Sequence, residues 1–141
     1  MEKRINAIIA LMRIKAGGVF MVLGIGIDII EIERVKKSMD NPLFIDRIYT
    51  KQEQLYLKSR NNNPSTAAGY FAAKEAAAKA LGTGISVISW TDIEILRFDN
   101  GKPDIKLYGK AKEIMDRMGG SNILLSISHS RDNAIAQVVI C

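Results

Sequence analysis

The 141-residue sequence predicts a single α+β domain with a largely antiparallel sheet. The first observation is the order of segments: a strand, then helices, two strands, a helix and two more strands. The second is a tight hairpin signal, Asp99–Lys102, between adjacent strand segments, because such short turns join antiparallel strands. The third is size and composition. The length suits one domain, and 48% hydrophobic with 25% charged residues exclude wholesale disorder.

The first part of the domain is expected to hold one strand and four helices. β-Branched residues over 22–30 predict a buried strand. The helices are expected over residues 31–39, 43–49, 50–60, and 65 to 82 or 84. Thr50 and Glu53 form a capping box at the start of the third helix. Ser65 is expected to cap the fourth helix, which is rich in alanine.

The second part is expected to hold four strands and one helix. The strands are expected over residues 91–98, 104–107, 122–129 and 134–140. The helix is expected over residues 108–118, and Gly119–Gly120 ends it. Ser130–Asn133 joins the last two strands, and no internal repeat is present.

Charge and apolar runs exclude several classes of partner. Residues 1–20 carry +3 of the net charge of +5, which leaves +2 for the remainder. A nucleic-acid binder should concentrate basic and aromatic residues in its folded part, and aromatic residues are only 6% here, so no nucleic-acid partner is expected. No apolar run approaches the roughly 20 residues of a membrane helix, so no membrane partner is expected. The single cysteine, Cys141, excludes an intramolecular disulfide and favours a reducing compartment.

Residues 1–20 are expected to form an N-terminal extension outside a domain over residues 21–141. Their apolar residues have the spacing of a short amphipathic helix: Ile5, Ile8, Ile9 and Met12. Basic residues interrupt this run and no cleavage-site pattern follows, so a secretory signal is a weak match. An extension translated from an upstream start codon is the favoured interpretation. A helix that binds a membrane surface or a partner is the alternative.

Asp28 lies within an apolar strand, where burial of a carboxylate is costly unless a cation or hydrogen-bond donors satisfy it. Strand alternation could instead point this side chain to solvent. The neighbouring Gly24 and Gly26 favour a site, since they allow close approach of another backbone or a ligand.

Glu75 and Lys79 are one turn apart on the long helix. They form either an exposed ion pair or one face of a site, and the surrounding alanines favour the site. Asp28 and Glu75 could hold Mg²⁺ together with a substrate phosphate, because Mg²⁺ commonly takes one or two carboxylates in such sites. Lys79 could then meet the phosphate as a point charge.

Two further motifs could contact a ligand. Gly82–Gly84 is either a glycine stop of the long helix or a loop whose backbone approaches an anionic or flat ligand. His129, the only histidine, ends a strand between two serines, so it is either structural or a contact to a phosphate or a base.

Five motifs occur in one order along the chain: Gly24–Ile29, Phe71–Ala80 with Gly82–Gly84, Trp90–Glu94, Asn100–Pro103 and Ser126–Ser130. Together they strongly resemble the holo-acyl-carrier-protein synthase family, the small bacterial 4′-phosphopantetheinyl transferases. The likeness extends from Met21 to Ile140. It implies that family's fold and a Mg²⁺-dependent transfer of 4′-phosphopantetheine from coenzyme A to a serine of apo-acyl carrier protein. It also implies release of adenosine 3′,5′-bisphosphate, a role in fatty acid biosynthesis, and a cytoplasmic homotrimer with active sites between subunits.

The resemblance also implies roles for individual residues. Asp28 and Glu75 match the metal ligands and, with Lys79, the catalytic residues. The positions that match coenzyme contacts are Lys79, Gly82, Thr83, Gly84, Pro103, His129 and Ser130. Positions expected at the carrier-protein docking surface are Arg34, Arg47 and Lys51, with Lys37 on the same basic helix face as Arg34. The proton of the carrier serine is expected to pass to Glu75 or to a water held at the metal.

Two departures and three alternatives accompany this interpretation. Tyr70 and Ala78 stand where the family frequently has arginine and serine, at positions expected near the coenzyme.

A non-catalytic coenzyme A or nucleotide-binding protein could dispense with Asp28 and Glu75, so their presence favours an enzyme. An RNA-binding domain is disfavoured by composition. A related transferase for polyketide or peptide carrier domains would differ only in its partner.

Overall fold

The computed structural model describes residues 21–141, and the helix and extension expected within residues 1–20 lie outside the described residues. The fold is α+β with the predicted order of elements. The strands are β1 (Gly24–Glu31), β2 (Ile93–Arg97), β3 (Pro103–Leu107), β4 (Ile123–His129) and β5 (Asn133–Ile140). The helices are α1 (Ile32–Met39), α2 (Pro42–Ile48), α3 (Lys51–Ser59), α4 (Pro64–Ala80) and α5 (Gly109–Met118). No helix within residues 21–141 is long and apolar enough to cross a membrane.

The strands form two antiparallel sheets. One has three strands in the order β1-β5-β4, and the other is the β2-β3 hairpin. The predicted turn closes that hairpin: the Phe98 N–H donates to the Lys102 carbonyl at 3.0 Å, and Gly101 has a φ of +83°. In the larger sheet Asp28 of β1 lies opposite Ala136 of β5.

Helix α4 packs directly on the inner face of the three-stranded sheet. Two glycines of β1 make this approach possible. A Cβ at Gly26 would lie 1.9 Å from the carbonyl oxygen of Ala76, and one at Gly24 would lie 2.1 Å from that of Ala80. Of the two alternatives predicted at these glycines, another backbone or a ligand, the structure shows the backbone of α4. The alanines of α4 that face the sheet are fully or almost fully buried.

The ends of two helices show one prediction that is confirmed and one that is wrong. Thr50 and Glu53 form the predicted capping box at the start of α3. The cap of α4 is Asn63 rather than Ser65: the Asn63 side chain accepts a hydrogen bond from the Ser65 N–H at 2.8 Å. Pro64 is the first residue of the helix, a position where its missing N–H costs nothing.

Glu53 also belongs to a buried ion pair that sequence analysis missed. The Lys74 ammonium of α4 lies 2.9 Å from the Glu53 carboxylate, and neither side chain is exposed. Lys74 also donates to the carbonyls of Trp90 and Ile93, and Glu53 accepts from the Ile95 N–H. The pair therefore joins α3, α4 and the start of β2.

The expectation of a buried strand holds for only one face of β1. Ile30 on the inner face is 8% exposed. On the outer face Ile25, Ile27 and Ile29 are 62%, 55% and 63% exposed. The reason is that α4 covers only the inner face, and successive side chains of a strand point to opposite faces. A row of isoleucines thus lies on the outer surface of the chain.

Candidate active site

Three predicted residues line one cavity beside the contact between β1 and α4. Asp28 shares the inner face of β1 with Gly26, and its side chain is 17% exposed. Glu75 and Lys79 come from consecutive turns of α4. The cavity has a volume of about 490 Å³ and is lined by these three residues with Ile29, Ile30, Glu31, Arg34 and Phe71. Alternation therefore turns Asp28 toward α4 rather than to solvent.

Lys79 forms its ion pair with Asp28, not with Glu75. Its ammonium donates to the Asp28 Oδ1 atom at 3.0 Å and to the backbone carbonyl of Ile27 at 2.9 Å. Within residues 21–141, no ion pair joins Glu75 to Lys79, so the alternative of a simple exposed pair along the helix is wrong. The lysine instead links α4 to β1 through these two hydrogen bonds.

Glu75 has a raised pKa. Burial in the cavity is the main cause, and the negative charge of Asp28 adds to it. The positive charge of Lys79 acts in the opposite direction but is the weaker influence. Two carboxylates therefore face one partly desolvated cavity, and the charge of Asp28 disfavours ionisation of Glu75.

These two carboxylates fit a magnesium ion. Carboxylate oxygens are the hard donors that Mg²⁺ prefers, and it commonly takes one or two of them and fills its shell with water and substrate phosphate oxygens. A divalent cation would also relieve the repulsion that contributes to the raised pKa of Glu75. No group of three or more His, Cys, Asp or Glu residues within 21–141 could hold a metal ion. A metal at Asp28 and Glu75 would therefore need ligands other than a third such side chain of the described residues, such as water or substrate phosphate oxygens.

An aromatic stack that sequence analysis did not assign borders this cavity. Phe71 lines the cavity and lies 4.8 Å from the Trp90 ring and 6.3 Å from the Phe44 ring, centroid to centroid. The signal was present in the sequence, because Phe71 precedes Glu75 by one helical turn. The stack gives the acidic cavity one apolar wall.

The other positions matched to coenzyme contacts lie outside this cavity. Gly82 and Gly84 have φ values of +77° and +66°, and a Cβ at either would meet no atom within 4 Å, so the loop after α4 has an open surface. Pro103 is the first residue of β3. His129 ends β4 and is exposed, and the Ser130 hydroxyl accepts a hydrogen bond from the Asn133 N–H at 3.2 Å.

The Gly82–Gly84 loop and His129 with Ser130 lie at opposite ends of the three-stranded sheet, whereas Pro103 belongs to the β2-β3 hairpin. The loop at Gly82 follows Ala80, which contacts Gly24 at the beginning of β1. His129 lies opposite Ala134 on β5, which in turn lies opposite Ile30 near the end of β1. Six residues of strand separate the two ends, a distance of roughly 20 Å.

All four basic residues predicted at a docking surface are exposed: Arg34, Lys37, Arg47 and Lys51. Arg34 on α1 also lines the acidic cavity, which the sequence did not indicate. Lys51 pairs with Asp46 at 3.2 Å. A second cavity of about 530 Å³ lies near Met39 and Leu57 and contains none of the predicted site residues.

The two departures from the family pattern are buried in the chain. Tyr70 is 1% exposed and its ring stacks on Tyr56 at 5.8 Å. Its hydroxyl accepts a hydrogen bond from Arg97 Nε at 3.4 Å. Ala78 is fully buried. Neither side chain lines the cavity of Asp28 and Glu75.

Paired carboxylates and a lysine at one cavity define a site suited to a phosphate-bearing substrate. Comparison with known proteins identifies the family. Residues 24–138 match the family model described as the 4′-phosphopantetheinyl transferase superfamily. The chain belongs to this superfamily.

The relatives agree with this assignment. The chain is 52% identical over 120 residues to a holo-[acyl-carrier-protein] synthase of Alkaliphilus oremlandii, covering 84% of this chain and 98% of the relative. It is 51% identical over 116 residues to the enzyme of the same name from Caldicellulosiruptor saccharolyticus, covering 82% and 94%.

Solved structures show the same fold. A crystal structure of a holo-(acyl-carrier-protein) synthase from Bacillus anthracis in complex with CoA (3′,5′-ADP) matches with a TM-score of 0.72 and 41% identity, covering 86% of this chain and 97% of that chain. The Helicobacter pylori holo-[acyl-carrier-protein] synthase in complex with coenzyme A matches with a TM-score of 0.73 and 38% identity, covering 83% and 99%.

Proposed function

We propose that this chain is a holo-[acyl-carrier-protein] synthase. It transfers 4′-phosphopantetheine from coenzyme A to a serine of apo-acyl carrier protein and releases adenosine 3′,5′-bisphosphate, in support of fatty acid biosynthesis. The observation that carries this proposal is the cavity shared by Asp28, Glu75 and Lys79 in a chain 52% identical to a relative of that name. The presence of both carboxylates favours the enzyme over a protein that only binds coenzyme A.

The reaction transfers a phosphoryl group to an alcohol, so the protein must mainly position the reactants and balance charge. Asp28 and Glu75 would hold Mg²⁺, which when bound supplies Lewis acidity toward the phosphate oxygens. Lys79 would stabilise the negative charge that develops on the phosphate or on the leaving group. Phe71 and its aromatic neighbours would limit the access of water from one side.

The carrier serine must lose a proton as it attacks. Glu75 is the proposed acceptor, because its carboxylate lines the cavity beside Asp28 and Lys79, where the serine would have to attack. A water oriented by Glu75 or Asp28 is the alternative acceptor. His129 is proposed to bind coenzyme A, together with Pro103, Ser130 and the loop Gly82–Gly84.

The carrier protein is proposed to dock on the exposed basic residues of α1, α2 and the start of α3: Arg34, Lys37, Arg47 and Lys51. Acyl carrier proteins are acidic, so this surface would steer the partner toward the cavity that Arg34 also lines. A transferase for other carrier domains would use the same chemistry, and the choice of carrier in the assay distinguishes the two.

We also propose that the active protein is a homotrimer with sites between subunits. Two features support this. The outer face of β1 exposes Ile25, Ile27 and Ile29, and Leu124 of β4 is 58% exposed on the same face of the sheet. The Gly82–Gly84 loop and His129 lie at opposite ends of the three-stranded sheet, so a second subunit could bring a second group of coenzyme contacts to each cavity. A cytoplasmic location and a domain boundary at residue 21 are further parts of the proposal.

Intact-mass spectrometry tests the activity. An apo-acyl carrier protein is incubated with this protein, coenzyme A and Mg²⁺, with EDTA in a parallel reaction. A mass gain of one phosphopantetheine group that EDTA abolishes is expected. Asp28→Asn and Glu75→Gln should each lose most of the rate, while Asp116→Asn, at an exposed carboxylate of α5, should not. Intact coenzyme A binding without a mass gain on any carrier tested would favour the binding protein instead.

Sedimentation velocity tests the assembly. The wild-type protein is expected to sediment as a trimer, and Ile27→Asp as a monomer, because a carboxylate would be buried in an apolar interface. Leu55→Asp is the matched control, since Leu55 is 60% exposed on α3 rather than on the sheet. A wild-type monomer at micromolar concentration would contradict the proposed trimer.

A further inference from the structure

The ammonium group of Lys79 contacts both the Asp28 carboxylate and the backbone at the edge of the sheet. Lys79 donates to Asp28 Oδ1 at 3.0 Å and to the Ile27 carbonyl at 2.9 Å. Strand β1 is an edge strand of its sheet. The Ile32 N–H donates across to the Asp132 carbonyl, so by antiparallel alternation the carbonyl of Ile27 faces the free edge of β1. The ammonium thus bridges this edge and the acidic cavity.

Lys79 and a divalent cation require the same carboxylate. A cation held by Asp28 and Glu75 would lie only about 2 Å from its ligand oxygens. An ammonium that stays within hydrogen-bond distance of Asp28 would then lie close to that cation and repel it. Metal binding is therefore most favourable when the ammonium has left Asp28. The Lys79 side chain is 51% exposed, so it can turn away without disturbing the buried core.

We propose that Lys79 couples metal binding to coenzyme A binding. The inference rests on the proposed function, since it takes the pyrophosphate of coenzyme A as the group that attracts the lysine. In the protein alone, Lys79 neutralises Asp28 and lowers the affinity of the site for a divalent cation. When coenzyme A binds, the ammonium transfers from Asp28 to a phosphate oxygen, and Asp28 becomes available to the metal together with Glu75.

The coupling has a definite sign and must be reciprocal. Coenzyme A raises the metal affinity, and the metal raises the coenzyme A affinity by the same factor. Coupling between two sites of one protein is typically about 5- to 150-fold. Removal of the Lys79 charge therefore has two expected effects. It strengthens metal binding to the protein alone, and it reduces the increase in metal affinity that coenzyme A causes.

Mn²⁺ binding measured by electron paramagnetic resonance tests the competition without any turnover. Substrate-free wild-type protein is compared with Lys79→Met, Lys79→Arg, Asp28→Asn and Lys36→Met. Lys36→Met is the matched control, because Lys36 is an exposed lysine that pairs with Glu33 at 3.8 Å on α1. Lys79→Met should bind Mn²⁺ about 5-fold more tightly or better, and Lys36→Met should equal the wild type. Asp28→Asn should lose most of the binding.

Equal or weaker Mn²⁺ binding by Lys79→Met would overturn the competition. Lys79→Arg keeps the charge, so its Mn²⁺ affinity should stay near that of the wild type. A gain for Lys79→Arg as large as for Lys79→Met would also overturn it.

A second titration in saturating coenzyme A tests the coupling. The Mn²⁺ affinity of the wild type should rise by a factor within the range given above. That of Lys79→Met should rise by a smaller factor, because the phosphate oxygens of coenzyme A can still ligate the metal but no lysine leaves Asp28. No rise for the wild type, or the full rise for Lys79→Met, would overturn the coupling.

The two proposals can fail separately. If no carrier is modified but Lys79→Met still binds Mn²⁺ more tightly, the proposed function fails and the competition stands. If the carrier is modified but Lys79→Met binds Mn²⁺ no more tightly, only the present inference fails.

Discussion

Substitution of Gly26 by alanine should separate β1 from α4 and damage both stability and catalysis. The new Cβ would lie 1.9 Å from the carbonyl oxygen of Ala76 and 2.8 Å from the backbone nitrogen of Ala80. Ordinary contact begins at 3.4 Å, so the strand and helix must move apart by about 1.5 Å. Both neighbouring atoms belong to the backbone of a helix, so neither can rotate away.

The expected loss of unfolding free energy is about 1–3 kcal/mol, the usual cost of overpacking a close-packed contact. The same shift moves Asp28 relative to Glu75 and Lys79. A misplacement of about 1 Å can lower turnover by about 100-fold, so kcat/KM should fall by at least that factor. Urea denaturation followed by circular dichroism measures the first effect, and initial rates from intact-mass spectrometry measure the second.

Gly69→Ala on α4 is the matched control. Its new Cβ would meet a side-chain methyl of Ile127 at 3.0 Å rather than a backbone atom, so a small side-chain shift can relieve the contact. Its unfolding free energy should stay within about 1 kcal/mol of the wild type, with near-normal turnover. The reasoning is refuted if Gly26→Ala is within about 0.5 kcal/mol of the wild type and retains its rate.

Three further substitutions test other contacts. Lys74→Met should cost about 3–5 kcal/mol of unfolding free energy because it leaves Glu53 as an unpaired buried charge, and adding Glu53→Gln should restore part of that; no loss in urea denaturation would contradict this. In EDTA, Glu75→Gln should melt above the wild type at pH 7, because the raised pKa of Glu75 favours its protonated form in the folded protein. This advantage should shrink as the pH falls through that pKa and below the ordinary glutamate value, and a pH-independent difference would argue against it. Arg34→Ala should raise KM for the carrier protein severalfold and flatten its salt dependence while Lys36→Ala does not, and an unchanged salt response would remove Arg34 from the docking surface.

The order of strands and helices could be predicted from the sequence because it depends on short-range signals. The capping box at Thr50 and the hairpin turn before Lys102 each involve residues a few positions apart. The glycines of β1 also predicted a close approach that the structure shows. A strand that lacks side chains at Gly24 and Gly26 signals close approach of another backbone, and helix α4 occupies that space.

The partners of the charged residues could not be predicted in the same way. Lys79 has Glu75 one turn away on its own helix, yet it pairs with Asp28, which is 51 positions distant. Glu53 was predicted only as a helix cap, yet it also neutralises Lys74 in the core. In both cases the packing of a helix against another element decides which charges meet.

The sequence by itself determined the order of strands and helices, the motif order and the choice of Asp28, Glu75 and Lys79 as candidate site residues. Only the tertiary structure decided that the face of β1 with Asp28 is covered and that the face with the isoleucines is exposed. Alternation along a strand separates the side chains into two faces but does not say which face will be covered. That choice comes from the packing of α4 against Gly24 and Gly26, and the same contact places Asp28 beside Glu75 and Lys79.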